Sequence, residues 1–344
     1  MSWRRRYRPT PFADTGHNAG PVTVASVPTP FNASDDGVDR TDDDRARATE
    51  RSGVRVAVAA YLIWGLLTVY WKQLDAFDAF ELIGWRMLTA GIVMAVIVTV
   101  RGSSAKIIST MRVPDALRQL AVAALLLTIN WGSYVWAVVN DRVIETALGY
   151  FIAPLVTMTI GVTVLGERPD VSQKIAFASA LVAVTILTVS YGRPPWIALV
   201  LAATWSLYAL AKRRITLDAI DSLAGETFVL FIPAVVIVVL ASLRSASVVQ
   251  SADAGQWGFA LGTGLITAIP LMLFASAAKS IPFTLLGPLN LLVPVINFGL
   301  GWMVYGEDMP AVRLLGFAFV WLALIVVMAG RFASTRPQGA KLGK

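Results

Sequence analysis

Long uninterrupted runs of apolar residues recur between residues 54 and 330 of the chain. Most are about 17 to 23 residues long, the length at which a helix rising 1.5 Å per residue crosses roughly 30 Å of hydrocarbon. Strands of an outer-membrane barrel would instead alternate apolar and polar positions. The pattern predicts an all-α integral membrane protein with ten transmembrane helices, called spans 1 to 10, at residues 54–71, 79–100, 117–139, 143–165, 173–191, 196–211, 223–243, 257–278, 283–305 and 311–330.

The two ends of the chain differ from this apolar region. Pro, Ser, Thr, Asp and Arg dominate the first 50 residues, which contain little that a core could bury. Connections between the runs are short, so no folded domain outside the membrane is expected. The predicted organisation is a disordered cytoplasmic tail at 1–52, a first repeat of spans 1 to 5 at 53–192, a second repeat of spans 6 to 10 at 193–331, and a short cytoplasmic tail at 332–344.

The amino-acid composition agrees with a membrane location and excludes several kinds of functional site. Of 344 residues, 56% are hydrophobic and only 15% are charged, against roughly 25% charged in soluble proteins. The chain has no cysteine, and its single histidine, His17, lies in the predicted tail. Disulfides, thiol catalysis and sites with Cys or His ligands are therefore excluded from the spans. No metal, no cofactor and no nucleic-acid partner are predicted.

Basic residues are unevenly divided between the two sides of the predicted membrane. Eighteen Lys and Arg residues lie near one side and five near the other, and basic loops mark the cytoplasm. The five on the other side are Lys72, Arg142, Arg193, Arg244 and Arg313. The asymmetry predicts a multi-pass protein of the cytoplasmic membrane with both termini in the cytoplasm.

The second half of the chain repeats features of the first at an offset of 140 positions. Trp64 also aligns with Trp205, at an offset of 141. Each half has five spans, an odd number, so the second half enters the membrane from the opposite side and the two form an inverted repeat. The matching residues are Pro154, Gly161, Gly166 and Glu167 with Pro294, Gly301, Gly306 and Glu307.

Pro154 and Pro294 fall inside predicted spans 4 and 9. Proline removes a backbone hydrogen bond and kinks a helix, and the freed carbonyl needs a partner from protein or water. A kink that faces a cavity and a kink that only shapes packing both remain open. Gly161 and Gly301 are expected at helix contacts. Glu167 and Glu307 are expected to be solvated turns or loop anchors rather than proton sites.

Arg86 is the basic residue that lies well inside a predicted span. A charge at that depth costs roughly 2.5 to 3.5 kcal/mol, so it needs a partner or a hydrated cavity. Glu145, Asn130, Tyr134 and Tyr150 lie at similar depth on spans 3 and 4 and are predicted to converge on it. Two interpretations stay open, an anion-accepting cavity tuned by Glu145 and a structural ion pair between Arg86 and Glu145.

The second repeat is expected to be less polar at this depth. By position, Phe231 and Phe274 replace Arg86 and Tyr134, while Asn290 and Asn297 add amides that could line the cavity. Trp64 is expected either to line the cavity or to anchor the chain at the membrane interface. The predicted substrate-binding or cavity-lining residues are thus Arg86, Asn130, Tyr134, Glu145, Tyr150, Asn290, Asn297 and Trp64.

Motifs of other protein classes are incomplete. The stretches that begin at Gly161 and Gly301 have the glycine spacing of a P-loop without the following Lys-Ser/Thr, so they do not predict ATP binding. A Gly-x-Ser-x-Gly elbow is also missing from the sequence. Gly258 and Gly262 are expected to mark a close helix contact. The chain is not expected to be an enzyme.

Several stretches resemble RarD-type members of the EamA family in the drug/metabolite transporter superfamily. They include "INWGSYVWAV" from Ile129, "ETALGYFIAPLV" from Glu145 and the endings "LGERP" and "YGEDMP". The resemblance implies a carrier of two five-helix EamA repeats, in a family labelled by chloramphenicol sensitivity. Trp85, Ala153 and Asn290 stand where the family usually has His, Asn and Gln.

Together these features predict a secondary active transporter, with export as the leading direction. Its cargo would be a small metabolite or drug-like molecule, carried by alternating access between the two repeats. An intramembrane enzyme and a passive channel are the alternatives, and proton coupling through Glu145 is a further hypothesis. The expected partners are a small-molecule substrate and the lipid bilayer, and a homodimer is left open.

Overall fold

The computed structural model describes residues 36–164, 166, 168–277 and 289–334. The regular structure of these residues is helical. The helices are α1 (Asp36–Trp71), α2 (Ala79–Val100), α3 (Ser104–Met111), α4 (Pro114–Val139), α5 (Val143–Thr163), α6 (Val171–Tyr191), α7 (Trp196–Lys212), α8 (Ala219–Ser242), α9 (Val248–Ser251), α10 (Ala254–Ala277), α11 (Leu292–Gly299) with a π-helical continuation (Leu300–Val304), and α12 (Ala311–Ser334).

Eight stretches of the described chain are long and apolar enough to cross a membrane. They lie in α1, α2, α4, α5, α6, α8, α10 and α12. Two more apolar helices are shorter, α7 and α11 with its π-helical continuation. The predicted all-α membrane class is confirmed, whereas the count of ten spans and the inverted repeat stay predictions.

Polar residues define several helix ends. Asp78 accepts hydrogen bonds from backbone amides in the first turn of α2, and Asp218 does the same for α8. Asp170 and Gln173 form a capping box at the start of α6, and Gly192, with φ +65°, caps its C-terminal end. Such caps satisfy amides that the first turn leaves without intrahelical partners.

The first helix begins earlier than its apolar run. α1 starts at Asp36, whereas span 1 was predicted from residue 54 and a disordered tail up to residue 52. The sequence places acidic residues at 36, 39 and 42–44, with one arginine at 40 among them, before basic residues at 45 and 47. This order suits the helix dipole, so charge patterning extends the helix beyond the apolar residues. Residues 1–35 of the predicted tail lie outside the described residues.

The helices pack as a network of close neighbours. α2 lies against α8 and α10, α5 against α7 and α11, α4 against α7 and α8, and α6 against α12. Small residues permit the closest approaches, as at Gly149 against Ala198 and at Gly301 against Ile144. The expected contact role of Gly301 agrees with this position, and Gly161 is buried within α5.

The two predicted kink residues differ in their helical context. Pro154 lies inside α5, beside Ala153, whose carbonyl accepts hydrogen bonds from the hydroxyls of Thr157 and Ser206. Pro294 lies in the first turn of α11, just after a turn at Leu291 that interrupts the helical residues 289–290. A missing amide costs little in a first turn, so Pro294 does not occupy the mid-helix position that was expected.

The glycines of α10 differ in how closely neighbouring residues approach them. A Cβ atom at Gly264 would lie 2.5 Å from the backbone carbonyl of Thr89 in α2, and one at Gly262 would lie 2.7 Å from the Tyr70 hydroxyl. Nothing lies within 4 Å of a Cβ atom at Gly258. The expected close contact is therefore made by Gly262 and Gly264, and the expectation for Gly258 is wrong.

We predict that Gly264→Ala destabilises the protein because the methyl group would collide with the backbone of α2. The expected loss is about 1 to 3 kcal/mol, the usual cost of overpacking. Gly258→Ala is the matched control, since it adds the same methyl group to the same helix in open space. Melting temperatures in detergent measure both variants, and equal stability of the two would contradict the described α2–α10 contact.

Candidate functional site

Arg86 projects from α2 into an aromatic pocket. Its side chain is buried, and its guanidinium lies 3.9 Å from the ring centroid of Trp131 in α4. Trp71, the last residue of α1, lies 5.5 Å from the same group. Indole faces attract cations, and the attraction is stronger where water is excluded. The two tryptophans therefore supply part of the compensation that a buried positive charge requires.

A chain of hydrogen bonds borders the Arg86 pocket. The Thr68 hydroxyl lies 2.9 Å from the Tyr134 hydroxyl and donates to the amide oxygen of Asn297, also at 2.9 Å. The Asn297 side chain in turn reaches the Thr146 hydroxyl at 3.5 Å. The ring of Tyr150 lies 6.1 Å from that of Tyr134. Residues from α1, α4, α5 and α11 are thus brought together beside Arg86.

The guanidinium of Arg86 lacks a carboxylate partner. Within the described part of the chain it forms no ion pair, and its Nε atom is buried without a hydrogen-bond partner. Trp71 Nε1 is also buried and unpartnered. Leaving such donors unsatisfied is costly, so an acceptor that enters the pocket would gain favourable interactions.

The predicted pair between Arg86 and Glu145 is not formed. Glu145 lies in the first turn of α5, where Arg193 Nη2 approaches its Oε1 to 2.5 Å and Arg142 lies 4.0 Å away. Tyr150 lies five positions further along α5, and its ring lies 6.1 Å from that of Tyr134. Arg193 belongs to the loop between α6 and α7, and its proximity has no signal in the sequence.

Glu145 borders a cavity of about 400 Å³ where the α4–α5, α6–α7 and α11–α12 loops meet. Glu307, on the last of these loops, accepts hydrogen bonds from the backbone amides of Val143 and Ile144 at the start of α5. Gly306, with φ +66°, makes the turn that presents this carboxylate. The expectation that Glu307 anchors a loop agrees with this geometry, while Glu167 lies outside the described residues.

Burial changes the acidity of Glu307. Desolvation raises the pKa of this carboxyl group from 4.5 to about 7, although the hydrogen bonds from Ile144 and Val143 oppose the change. Loss of water disfavours the charged form of a carboxylic acid, whereas donated hydrogen bonds favour it. Glu307 therefore titrates near neutral pH while it caps α5.

The remaining predicted residues have other neighbours. Asn130 donates to the Leu201 carbonyl and to the Thr204 hydroxyl of α7, each at 3.0 Å, and so joins two helices. Trp64 packs with Tyr61 and Phe274 in an aromatic cluster of α1 and α10. Asn290 is exposed. The structure therefore gathers Arg86, Tyr134, Tyr150 and Asn297, and it places Asn130, Glu145, Asn290 and Trp64 elsewhere.

The sequence analysis did not identify a buried glutamate and its hydrogen-bond donors in the second half of the chain. Glu226 on α8 is fully buried and accepts from Lys212 at 2.7 Å, Ser222 at 2.8 Å and Tyr208 at 3.0 Å. It lies 140 positions after Arg86, so at the offset of the predicted repeat Glu226, and not Phe231, would be the counterpart of Arg86. The expectation of a less polar second half is therefore wrong at this position.

The fold and the Arg86 group describe an all-helical membrane protein with a buried arginine among its apolar helices. Residues 51–189 match the EamA-like transporter family. The chain is 38% identical over 298 residues to Protein RarD of Streptomyces exfoliatus, covering 87% of this chain and 95% of that one. It is 32% identical to Protein RarD of Escherichia coli (strain K12), with 80% and 93% covered.

The chain belongs to the EamA family as a RarD-type member, and it is a membrane transporter. It is also 30% identical to the uncharacterized transporter YojE of Bacillus subtilis (strain 168), covering 81% of this chain and 94% of that one. A crystal structure described only as that of a protein shares the fold, with a TM-score of 0.53 and 19% identity, covering 81% and 98% of the two chains. The predicted family resemblance is confirmed.

We predict that Glu307 makes stability depend on pH. Its folded pKa is above its ordinary value, so the folded protein binds the proton more tightly and stability falls as pH rises from 4.5 to about 7. Glu307→Gln should remove this component. Melting temperatures measured from about pH 5 to about pH 8 should therefore decline more steeply for the wild type than for Glu307→Gln.

The control for this prediction is Asp308→Asn, a change of the same kind at the exposed neighbouring residue. It should keep the pH dependence of the wild type. Parallel curves for the wild type and Glu307→Gln would show that Glu307 does not carry a raised pKa.

Proposed function

We propose that the protein is a secondary active transporter that exports a small metabolite or drug-like molecule bearing an anionic group. The observation that carries this proposal is the Arg86 guanidinium, which lies buried against Trp131 without a carboxylate partner in the described residues. An ionised acceptor bound by arginine makes a strong, charge-assisted hydrogen bond. Trp71 and Trp131 offer flat apolar faces for the rest of the solute.

Helix contacts support two inverted repeats. If spans 1 to 5 correspond to spans 6 to 10, a two-fold axis relates α2 to α8, α5 to α11 and α6 to α12, and each of these pairs is in contact. The axis also relates the α5–α7 contact to one between α11 and α1, where Ile296 packs on Gly65. This pairing favours ten spans, including the shorter α7 and α11.

Polar residues at the helix ends follow the same relation. Asp78 caps α2 and Asp218, 140 positions later, caps α8. Glu81 accepts a hydrogen bond from the Val248 amide at the start of α9, while Asp221 accepts from Ser103 and Lys106 around the start of α3. Each repeat thus binds the short helix of the other repeat through an acidic residue.

Inverted repeats suit alternating access, in which one repeat rocks against the other around a fixed site. Arg86 and its counterpart Glu226 would occupy related positions on the two repeats. We assign the protein to the cytoplasmic membrane with both termini in the cytoplasm, on the basis of eighteen basic residues against five. The loops beside Glu145 and Glu307 would then face outwards.

We predict that Arg86→Gln abolishes export while leaving the protein folded. Removing an unpaired guanidinium strands no carboxylate, so stability should be kept. Loss of a hydrogen bond to a charged group, about 1.5 to 3 kcal/mol, corresponds to at least about a tenfold loss of transport. Arg118→Gln is the matched control, because Arg118 is an arginine whose side chain is 83% exposed.

Metabolite-resolved efflux tests this prediction in cells that lack the protein and in cells that express the wild type or either variant at equal membrane levels. The wild type and Arg118→Gln should export the same solutes, and Arg86→Gln should not. Wild-type export by Arg86→Gln would remove Arg86 from the binding site. Arg86→Lys, which keeps the charge without the planar fork, should give an intermediate rate.

A further inference from the structure

We propose that the cavity beside Glu145 is a second anion-binding site, in which Arg313 and Tyr191 bind a small solute bearing a carboxylate or phosphate group. The cavity measures about 400 Å³ and lies among the α4–α5, α6–α7 and α11–α12 loops. Its lining shares no residue with the group of Arg86, Trp131, Tyr134 and Tyr150. The proposal concerns binding and does not rest on transport.

Basic residues are concentrated at this cavity. Five Lys and Arg residues are predicted for this face of the membrane, and three of them, Arg142, Arg193 and Arg313, line the cavity. A fourth, Lys72, forms an ion pair with Asp141, which also lines it. Of these five residues, only Arg244 neither lines the cavity nor pairs with a residue that lines it. Most of the few basic residues predicted for this face therefore lie at the cavity or are paired with one of its residues.

The acidic residues of the cavity are already engaged or lie in water. Glu145 bonds both Nη atoms of Arg193, and Glu307 accepts from the amides at the start of α5. Asp141 is paired with Lys72, and Asp308 is exposed. These carboxylates therefore do not supply a partner for the remaining arginine, Arg313.

Arg313 has no carboxylate partner among the described residues. Within the described residues it forms no ion pair, and its Nη1 atom donates to the backbone carbonyl of Asp308. Its guanidinium lies 4.1 Å from the ring centroid of Tyr191, and that of Arg193 lies 5.7 Å from the same ring. Two guanidinium groups thus approach one ring, although Glu145 compensates only Arg193.

Two polar atoms of this pair lack partners. Arg313 Nε and the Tyr191 hydroxyl are both buried without a hydrogen-bond partner. Arg313 Nε can only donate, and the phenol can donate as well. Buried donors on and beside a guanidinium without a carboxylate partner favour an acceptor that is itself negative, such as a carboxylate or phosphate oxygen.

Anion binding to the purified full-length protein in detergent tests the proposal. Sodium phosphate and sodium succinate are the probes, with sodium chloride at equal ionic strength as the reference, and calorimetry gives the dissociation constants. We expect the wild type to bind phosphate or succinate, and the preferred probe identifies the anionic group. Arg313→Gln should weaken binding at least about tenfold, and Tyr191→Phe several-fold.

Two variants separate this site from others. Arg244→Gln removes an exposed arginine predicted for the same face but outside the cavity, and it should bind as the wild type does. Arg86→Gln should also leave this binding unchanged. Loss of binding in Arg86→Gln alone would assign the anion to the Arg86 pocket and overturn the proposal, whatever the outcome for transport.

The remaining outcomes are equally decisive. A wild type that binds neither probe better than chloride overturns the proposal, and so does an Arg313→Gln protein with wild-type affinity. If Arg313→Gln does not fold, Arg313→Lys replaces it, because lysine keeps the charge but lacks the Nε donor. Weakened binding by Arg313→Lys supports the site, and unchanged affinity contradicts it.

Discussion

The buried contact between the Arg86 guanidinium and the Trp131 ring is the interaction on which the rest of the site depends. A positive charge at this depth must be compensated, and the described residues offer it aromatic faces and no carboxylate. The adjoining chain of Thr68, Tyr134 and Asn297 holds α1, α4 and α11 together beside it. The group is therefore fixed by its neighbours, and its charge has no carboxylate partner among the described residues.

The buried carboxylates of the protein are, by contrast, well supplied with donors. Glu145 binds Arg193, Glu307 binds the start of α5, and Glu226 accepts from Lys212, Ser222 and Tyr208. Satisfied groups of this kind stabilise one arrangement of the helices, since removing a partner would strand a buried charge. Arg86 and Arg313 differ because each retains a buried Nε without a partner, and the two binding proposals rest on this difference.

Apolar run lengths predicted the all-α membrane class and the eight long apolar helices of the described residues. Depth along those helices grouped Arg86 with Tyr134 and Tyr150. Depth could not predict the partner of Glu145, because Arg193 comes from a loop whose path depends on tertiary packing. It also placed Asn130 in the site, although its side chain turns to α7. Glu226 could have been found by applying the 140-residue offset to Arg86.

A structure of the protein determined with a transported solute bound tests the central claim most directly. We expect the anionic group of the solute at hydrogen-bond distance from the Arg86 guanidinium, about 3 Å, with its flat or apolar part against Trp131. A solute bound away from Arg86, or a carboxylate of the protein itself occupying that guanidinium, would contradict the account.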